Sequence, residues 1–121
     1  MHLTLKFDTK DVDWTLAAAI YEEAGFKNRN AENLQQAFAA SDGVCFAFDM
    51  NRMIGLCRVA EQDGKPALLD LCIVPSYKGF GLGHTMHDYL SRKYDSAVPV
   101  RGTDETETAF YKGMEMSELL D

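Results

Sequence analysis

Lys78-Gly79-Phe80-Gly81-Leu82-Gly83 alternates glycine with larger side chains, and His84 follows directly. Glycine has no Cβ, so a ligand can come down onto the backbone at such a run. Ahead of it lies a nearly continuous apolar stretch, Ala67 to Val74, ending at Pro75. Behind it Leu82, Met86, Tyr89 and Leu90 recur at helical spacing to about Lys93. Leu68 to Arg92 therefore reads as a strand, a glycine-rich turn and a helix. A helix start presents unpaired N–H groups and the positive end of its dipole. That combination suits a phosphate or pyrophosphate. Lys78 is either a cation beside the phosphates or a solvated loop charge.

Two better-known phosphate sites do not fit. A dinucleotide fingerprint needs glycine at relative positions one, three and six. Counting from Gly79, the sixth residue is His84. A P-loop needs Gly, four residues, then Gly-Lys-Ser/Thr, and no such string occurs.

Other residues able to do chemistry are few. Asp70 is an ionisable group inside an otherwise apolar strand. It either faces a solvated cleft, pairs with a neighbour, or takes part in catalysis. His84 sits where an imidazole could donate to a phosphate, and His87 reads as an exposed helix residue. Neither has a second ligand at metal spacing, so no metal is expected. Cys45, Cys57 and Cys72 lie in strand-like runs and fit no zinc pattern. Their odd number argues against a disulfide framework and for buried thiols in a reducing compartment.

The elements that must hold these residues follow from periodicity. His2 to Phe7 alternates and reads as a half-buried strand. Asp8, Thr9 and Asp11 offer caps for a helix over Val12 to Ala24, with Val12, Leu16, Ala19, Ile20 and Glu23 along one side and Gly25 as its stop. Trp14 and Tyr21 share a face, as core or as a pocket wall. After a polar loop carrying Lys27 and Arg29, Asn30 caps a second helix over Ala31 to Ala40. Val44 to Asp49 and Met53 to Glu61 form a hairpin, with Ile54 and Leu56 on one side against Cys57 and Val59. Asp63, Gly64 and Lys65 turn the chain into Ala67 to Val74, whose continuous apolarity marks a central strand. Met86 and Tyr89 read as core residues. A short edge strand is expected at Val98 to Arg101, a helix over Thr106 to Lys112, and a final short strand within Met114 to Leu120. The order predicts an α/β (α+β) fold with a mixed, mostly antiparallel sheet, rather than the strict alternation of a doubly wound sheet.

A length of 121 residues suits a single domain over residues 1–121, able to bury a core without staples. The apolar share of 46% and charged share of 26% belong to an ordinary globular chain. No apolar run is long enough to span a bilayer. Met1 to Lys10 lacks the basic and long apolar regions of a secretory signal, so a cytoplasmic location is expected. A net charge of −7 disfavours nucleic acid and anionic membrane as partners. It would attract a cationic substrate, and it equally serves solubility.

Taken together, the segment from Leu71 to Gly83 resembles the acetyl-coenzyme A (acetyl-CoA) signature of the GNAT (GCN5-related) N-acetyltransferase superfamily. That signature is Gln/Arg-x-x-Gly-x-Gly/Ala at a helix start, and Lys78, Gly81 and Gly83 fill its positions, with Lys for Gln/Arg. Ile73-Val74-Pro75-Ser76-Tyr77 resembles the family's V-x-P-x-Y lead-in. Met50 to Val59 looks like its second hairpin, and Ala109-Phe110-Tyr111 like its late F-Y segment. The resemblance covers nearly the whole chain. It implies that the backbone of Leu71, Cys72 and Ile73 pairs with the pantetheine arm of acetyl-CoA as an added strand would. The amides of Gly79, Phe80, Gly81, Leu82, Gly83 and His84 then hold its pyrophosphate.

The resemblance further implies an N-acetyltransferase acting on a primary amine by direct attack on the thioester. Tyr111 takes the position of the general acid that protonates the leaving thiolate. The spacing after Tyr111 is about two residues shorter than the family's, so packing is its alternative role. Family glutamates on the central strand align with Ala67 or Leu69, which leaves Asp70 as the only carboxylate there. The base is thus Asp70 through a water, or no dedicated group. The acceptor is a small-molecule amine, polyamine-like or aminoglycoside-like, or else a protein amine. A homodimer is implied. An acyl-CoA-binding or regulatory module without catalysis is the competing reading.

Overall fold

The computed structural model describes all 121 residues. Four antiparallel strands lie in sequential order: β1 (Leu3–Lys6), β2 (Gly43–Asp49), β3 (Arg52–Gln62) and β4 (Lys65–Ile73). Helices α1 (Trp14–Glu23) and α2 (Ala31–Ala39) cover one face. Helix α3 (Leu82–Ser91) and the short α5 (Met116–Leu120) cover the other. Between these last two runs α4 (Glu105–Tyr111). This is the expected mixed α/β class.

Each face has its own core. Alternation along β2 sends Cys45 and Ala47 toward α3, and Val44 and Phe46 toward α1 and α2. Trp14 packs on Phe38 and Phe46 at centroid distances of 5.5 and 6.0 Å, so it is a core residue. The strict alternation expected for β3 fails at Ile54. Gly55 pairs with Ala47 and Met53 with Phe48, which leaves Ile54 as an extra residue. This bulge puts Ile54 and Leu56 in opposite cores rather than on one face.

Several local expectations are corrected. Helix α1 begins later than expected, because Asp13 is its cap, accepting from the Leu16 amide at 3.0 Å. Its buried side is Ala17, Ile20 and Tyr21, and Leu16 is exposed. In α3 the buried positions are Leu82, Gly83, Met86, His87 and Leu90. His87 is therefore interior, while Tyr89 is 43% exposed against Phe7 and Arg92. Met116 to Leu120 is helical, with Glu115 and Glu118 making a capping box, so the expected last strand is absent. The expected strand at Val98 to Arg101 shrinks to one parallel bridge, Leu68 with Val100. Its two bonds run from the Leu68 amide to the Pro99 carbonyl (2.8 Å) and from the Arg101 amide to the Leu68 carbonyl (3.0 Å). Pro99 brings no N–H to a ladder, which suits so brief a pairing.

No helix is long and apolar enough to cross a membrane.

Candidate functional site

Beyond the Leu68 bridge, β4 runs on to Ile73 while the chain after Val100 turns away toward α4. From Leu69 to Ile73 the strand therefore has β3 on one side and no strand on the other. The run expected as a central strand thus lies at the sheet edge, its apolarity coming from helices on both faces rather than from a strand on each side. The side chains of Leu71 and Ile73 go into the α3 core and that of Cys72 into the α1 core. Only the backbone of these three residues is left to meet a ligand at this edge. The departing segment is held by His87, whose buried Nε2 lies 2.7 Å from the Val98 carbonyl. A carbonyl only accepts, so Nε2 carries the proton there.

The open edge leads to the start of α3. Pro75–Tyr77 forms one 3₁₀ turn, pinned by the Tyr77 hydroxyl donating to Asp49 at 2.6 Å. Gly79 and Gly81 then adopt φ of +85° and +76°, a region that side chains resist. A Cβ on either would point into open space. Gly81 is the N-cap of α3 and no side chain caps the helix, so its first amides are free for an anion. Gly83 serves packing as well: a Cβ there would lie 1.9 Å from the Leu120 carbonyl oxygen of α5. The Leu82 side chain is in the core, whereas Phe80 is 67% exposed. Lys78 is exposed beside the turn. His84 lies 3.1 Å from Asp121. No group of three or more His, Cys, Asp or Glu side chains converges on one point.

Asp70 stands at a second bulge. Leu56 pairs with Cys72 and Arg58 with Leu69, so Asp70 and Leu71 together oppose Cys57. Asp70 takes φ of +56° to do so, and its carbonyl accepts the Tyr21 hydroxyl at 2.5 Å. Burial and the Asp70 charge hold the Tyr21 hydroxyl well above its ordinary pKa, so it stays a donor. The Asp70 carboxylate is 4% exposed and both oxygens are engaged. Arg29 Nη2 lies 2.5 Å from Oδ1, and Arg58 Nε 2.7 Å from Oδ2. Of the readings left open for Asp70, the structure shows the paired one. Arg29 also reaches Glu107 of α4 at 2.7 Å and the Thr103 hydroxyl at 3.0 Å. The partners Arg58, Thr103 and Glu107 were not identified as site residues from the sequence. The only available signal was that a carboxylate in an apolar strand requires a cation.

Tyr111 closes α4. It lines a cleft of about 300 Å³ between α4 and the loop joining α1 to α2, with Phe26, Lys27, Asp104, Glu107 and Phe110. Its pKa is pushed up to about 12, first by burial and then by the charges of Glu107 and Asp70. It is thus a protonated donor at neutral pH. The sequence brought Tyr111, Asp70 and the glycine turn forward as separate pieces. The fold joins Asp70 and Tyr111 through Arg29 and Glu107, and sets the glycine turn at the far end of the open β4 edge.

No protein-family model and no curated protein matches the chain. Solved structures do. A GNAT-family acetyltransferase from Streptococcus pneumoniae is 26% identical over 98% of this chain and 92% of its own, with a TM-score of 0.65. A GNAT-family protein from Xanthomonas campestris pv. campestris is 16% identical over 92% and 81%, with a TM-score of 0.67. A GNAT-family acetyltransferase from Brucella melitensis, solved with acetyl-CoA, is 16% identical over 75% and 68%, with a TM-score of 0.55.

Proposed function

We propose that this chain, which has the fold of the GCN5-related N-acetyltransferases, transfers the acetyl group of acetyl-CoA to a primary amine of a small molecule. The observation that carries the reading is the continuity of the open β4 edge with the uncapped start of α3. The edge from Leu71 to Ile73 offers backbone groups to the amides of a pantetheine arm. The amides from Gly79 to His84 offer donors to a pyrophosphate, with Lys78 adding a cation. Acetyl-CoA supplies a thioester whose carbonyl a neutral amine can attack.

The residues of this chain then do the following. Tyr111, protonated up to about pH 12, donates a proton to the departing thiolate. Asp70 is a positioning residue. Its carboxylate locks the β4 bulge between Arg29 and Arg58, and the Arg29 contact to Glu107 carries that order into α4. Proton removal from the amine falls to solvent rather than to a dedicated base. A cytoplasmic homodimer is the setting that the family resemblance implies.

A second reading, an acyl-CoA-binding module without turnover, is favoured by one observation: the sole carboxylate of β4 is fully occupied by arginines. Calorimetry with acetyl-CoA and thiol release over a panel of amines separate the two. Heat of binding with thiol release supports the enzyme. Binding without release on any amine supports the module, and no binding defeats both.

A further inference from the structure

Resting on the acetyltransferase reading, we infer that the cleft beside Tyr111 takes a monoamine carried on an aromatic or similarly apolar body, and rejects polyamines. A net charge of −7 suggests the opposite, a site built for multiple cations. The charges in the cleft are already spent. Glu107 has one oxygen 2.7 Å from Arg29 and the other accepting from the Thr103 amide at 3.2 Å. Asp104 uses Oδ1 to cap α4, accepting from the Glu107 amide at 2.8 Å. That leaves one carboxylate oxygen of Asp104 without a protein partner, and Lys27 is the one cation of the same lining. A second or third ammonium would find only that one oxygen of Asp104, with Lys27 competing for it, and holding a charge here without its own partner is costly.

The apolar side of the lining points to the body of the acceptor. Phe26, Phe110 and Tyr111 all border the cleft. Phe110 is 69% exposed and its ring stacks edge-on with Tyr111 at 5.5 Å, with no core around it. An aromatic left at a cleft mouth gains by covering an apolar or aromatic ligand surface. The volume of about 300 Å³ lies at the small end of ligand sites.

The test compares 2-phenylethylamine, methylamine and spermidine, by calorimetric titration into the protein and by thiol release with acetyl-CoA. 2-Phenylethylamine is expected to bind, and to have a KM at least about tenfold below that of spermidine. Phe110→Ala removes an exposed side chain without disturbing the fold. It should raise the KM for 2-phenylethylamine about tenfold more than it raises that for methylamine, a ratio that general damage to the cleft would not produce. A preference for spermidine, or a Phe110→Ala protein that handles 2-phenylethylamine as before, overturns the inference while leaving acetyl transfer intact. If acetyl-CoA binds but no amine releases thiol, the transferase reading fails. The titrations then still decide this inference: Phe110-dependent binding of 2-phenylethylamine sustains it, and its absence removes it.

Discussion

Arg29 and Glu107 meet at 2.7 Å with 8% and 13% of their side chains exposed, and this contact joins α4 to the sheet. Helix α4 buries no residue of its own. It is held from one end by Arg29 and by the Gln62 side chain donating to the Gly102 carbonyl at 2.8 Å. The same guanidinium carries Asp70, so the β4 bulge and the helix that ends in Tyr111 share one cation.

Removing that cation leaves Glu107 without its ion pair and Asp70 with Arg58 alone. Arg29→Ala should destabilise the protein by about 3 kcal/mol, as loss of one partner from a buried pair does. Urea unfolding measures this directly. Glu107→Gln keeps a hydrogen-bonding group toward Arg29 and should cost less, yet loosen α4. Faster amide exchange in α4 with β4 unchanged is the expected signature of that variant. Equal exchange in both proteins would show that α4 is held by something else.

Tyr111→Phe keeps the packing of the ring and removes the proton donor. Turnover should fall about a hundredfold, the low end for loss of a general acid. Acetyl-CoA affinity should not change. Because the hydroxyl holds its proton to about pH 12, the wild-type pH–rate profile should show no decline from Tyr111 below pH 10. A falling limb centred between pH 7 and 9 that disappears in Tyr111→Phe would contradict this assignment.

Alkali should unfold the protein progressively. Burial pushes the Cys45 and Cys72 thiols from 9.0 up to about 12, and raises Cys57 as well. Tyr21 and Tyr111 are also raised. Above pH 9 the unfolded chain releases thiol protons that the folded chain keeps. It then binds fewer protons than the native state, so stability falls with rising pH. The associated stability is fully present below pH 9 and is lost between pH 9 and 12. Denaturant midpoints measured across that range test it, and a flat profile would mean the thiols are not buried.

The glycines of the turn should separate by role. Gly81→Val places a β-branched residue at φ +76° with its Cβ in open space. The strain should cost about 1–2 kcal/mol, and acetyl-CoA binding should be lost because the side chain crowds the anion cradle. Gly83→Ala drives a methyl into the Leu120 carbonyl. It should shift α5 and cost about 1–3 kcal/mol through overpacking. Retained acetyl-CoA affinity in Gly81→Val would remove the turn from the cofactor site.

Local patterns alone determined much of this protein. Alternation in β2, the apolar run of β4, the glycine turn and the spacing of Leu82, Met86 and Leu90 are properties of neighbouring residues, so they are visible in one dimension. They suffice for the fold class and for a glycine turn at the start of a helix. What a local pattern cannot contain is an interaction between distant segments. The bulges at Ile54 and Asp70 arise from how two strands register, and they decided which core each residue enters. His87 became interior because Val98, eleven residues away, offered a carbonyl at 2.7 Å. Met116 to Leu120 became a helix because its capping box and its fit over Gly83 outweigh a short apolar run. Asp70 was legible as an anomaly, a charge where a strand should be apolar. Its partner Arg29 lies 41 residues earlier, in a loop whose sequence reads only as polar. Desolvation makes that pairing necessary, and only the tertiary structure could choose the cation, and with it the link between β4 and Tyr111.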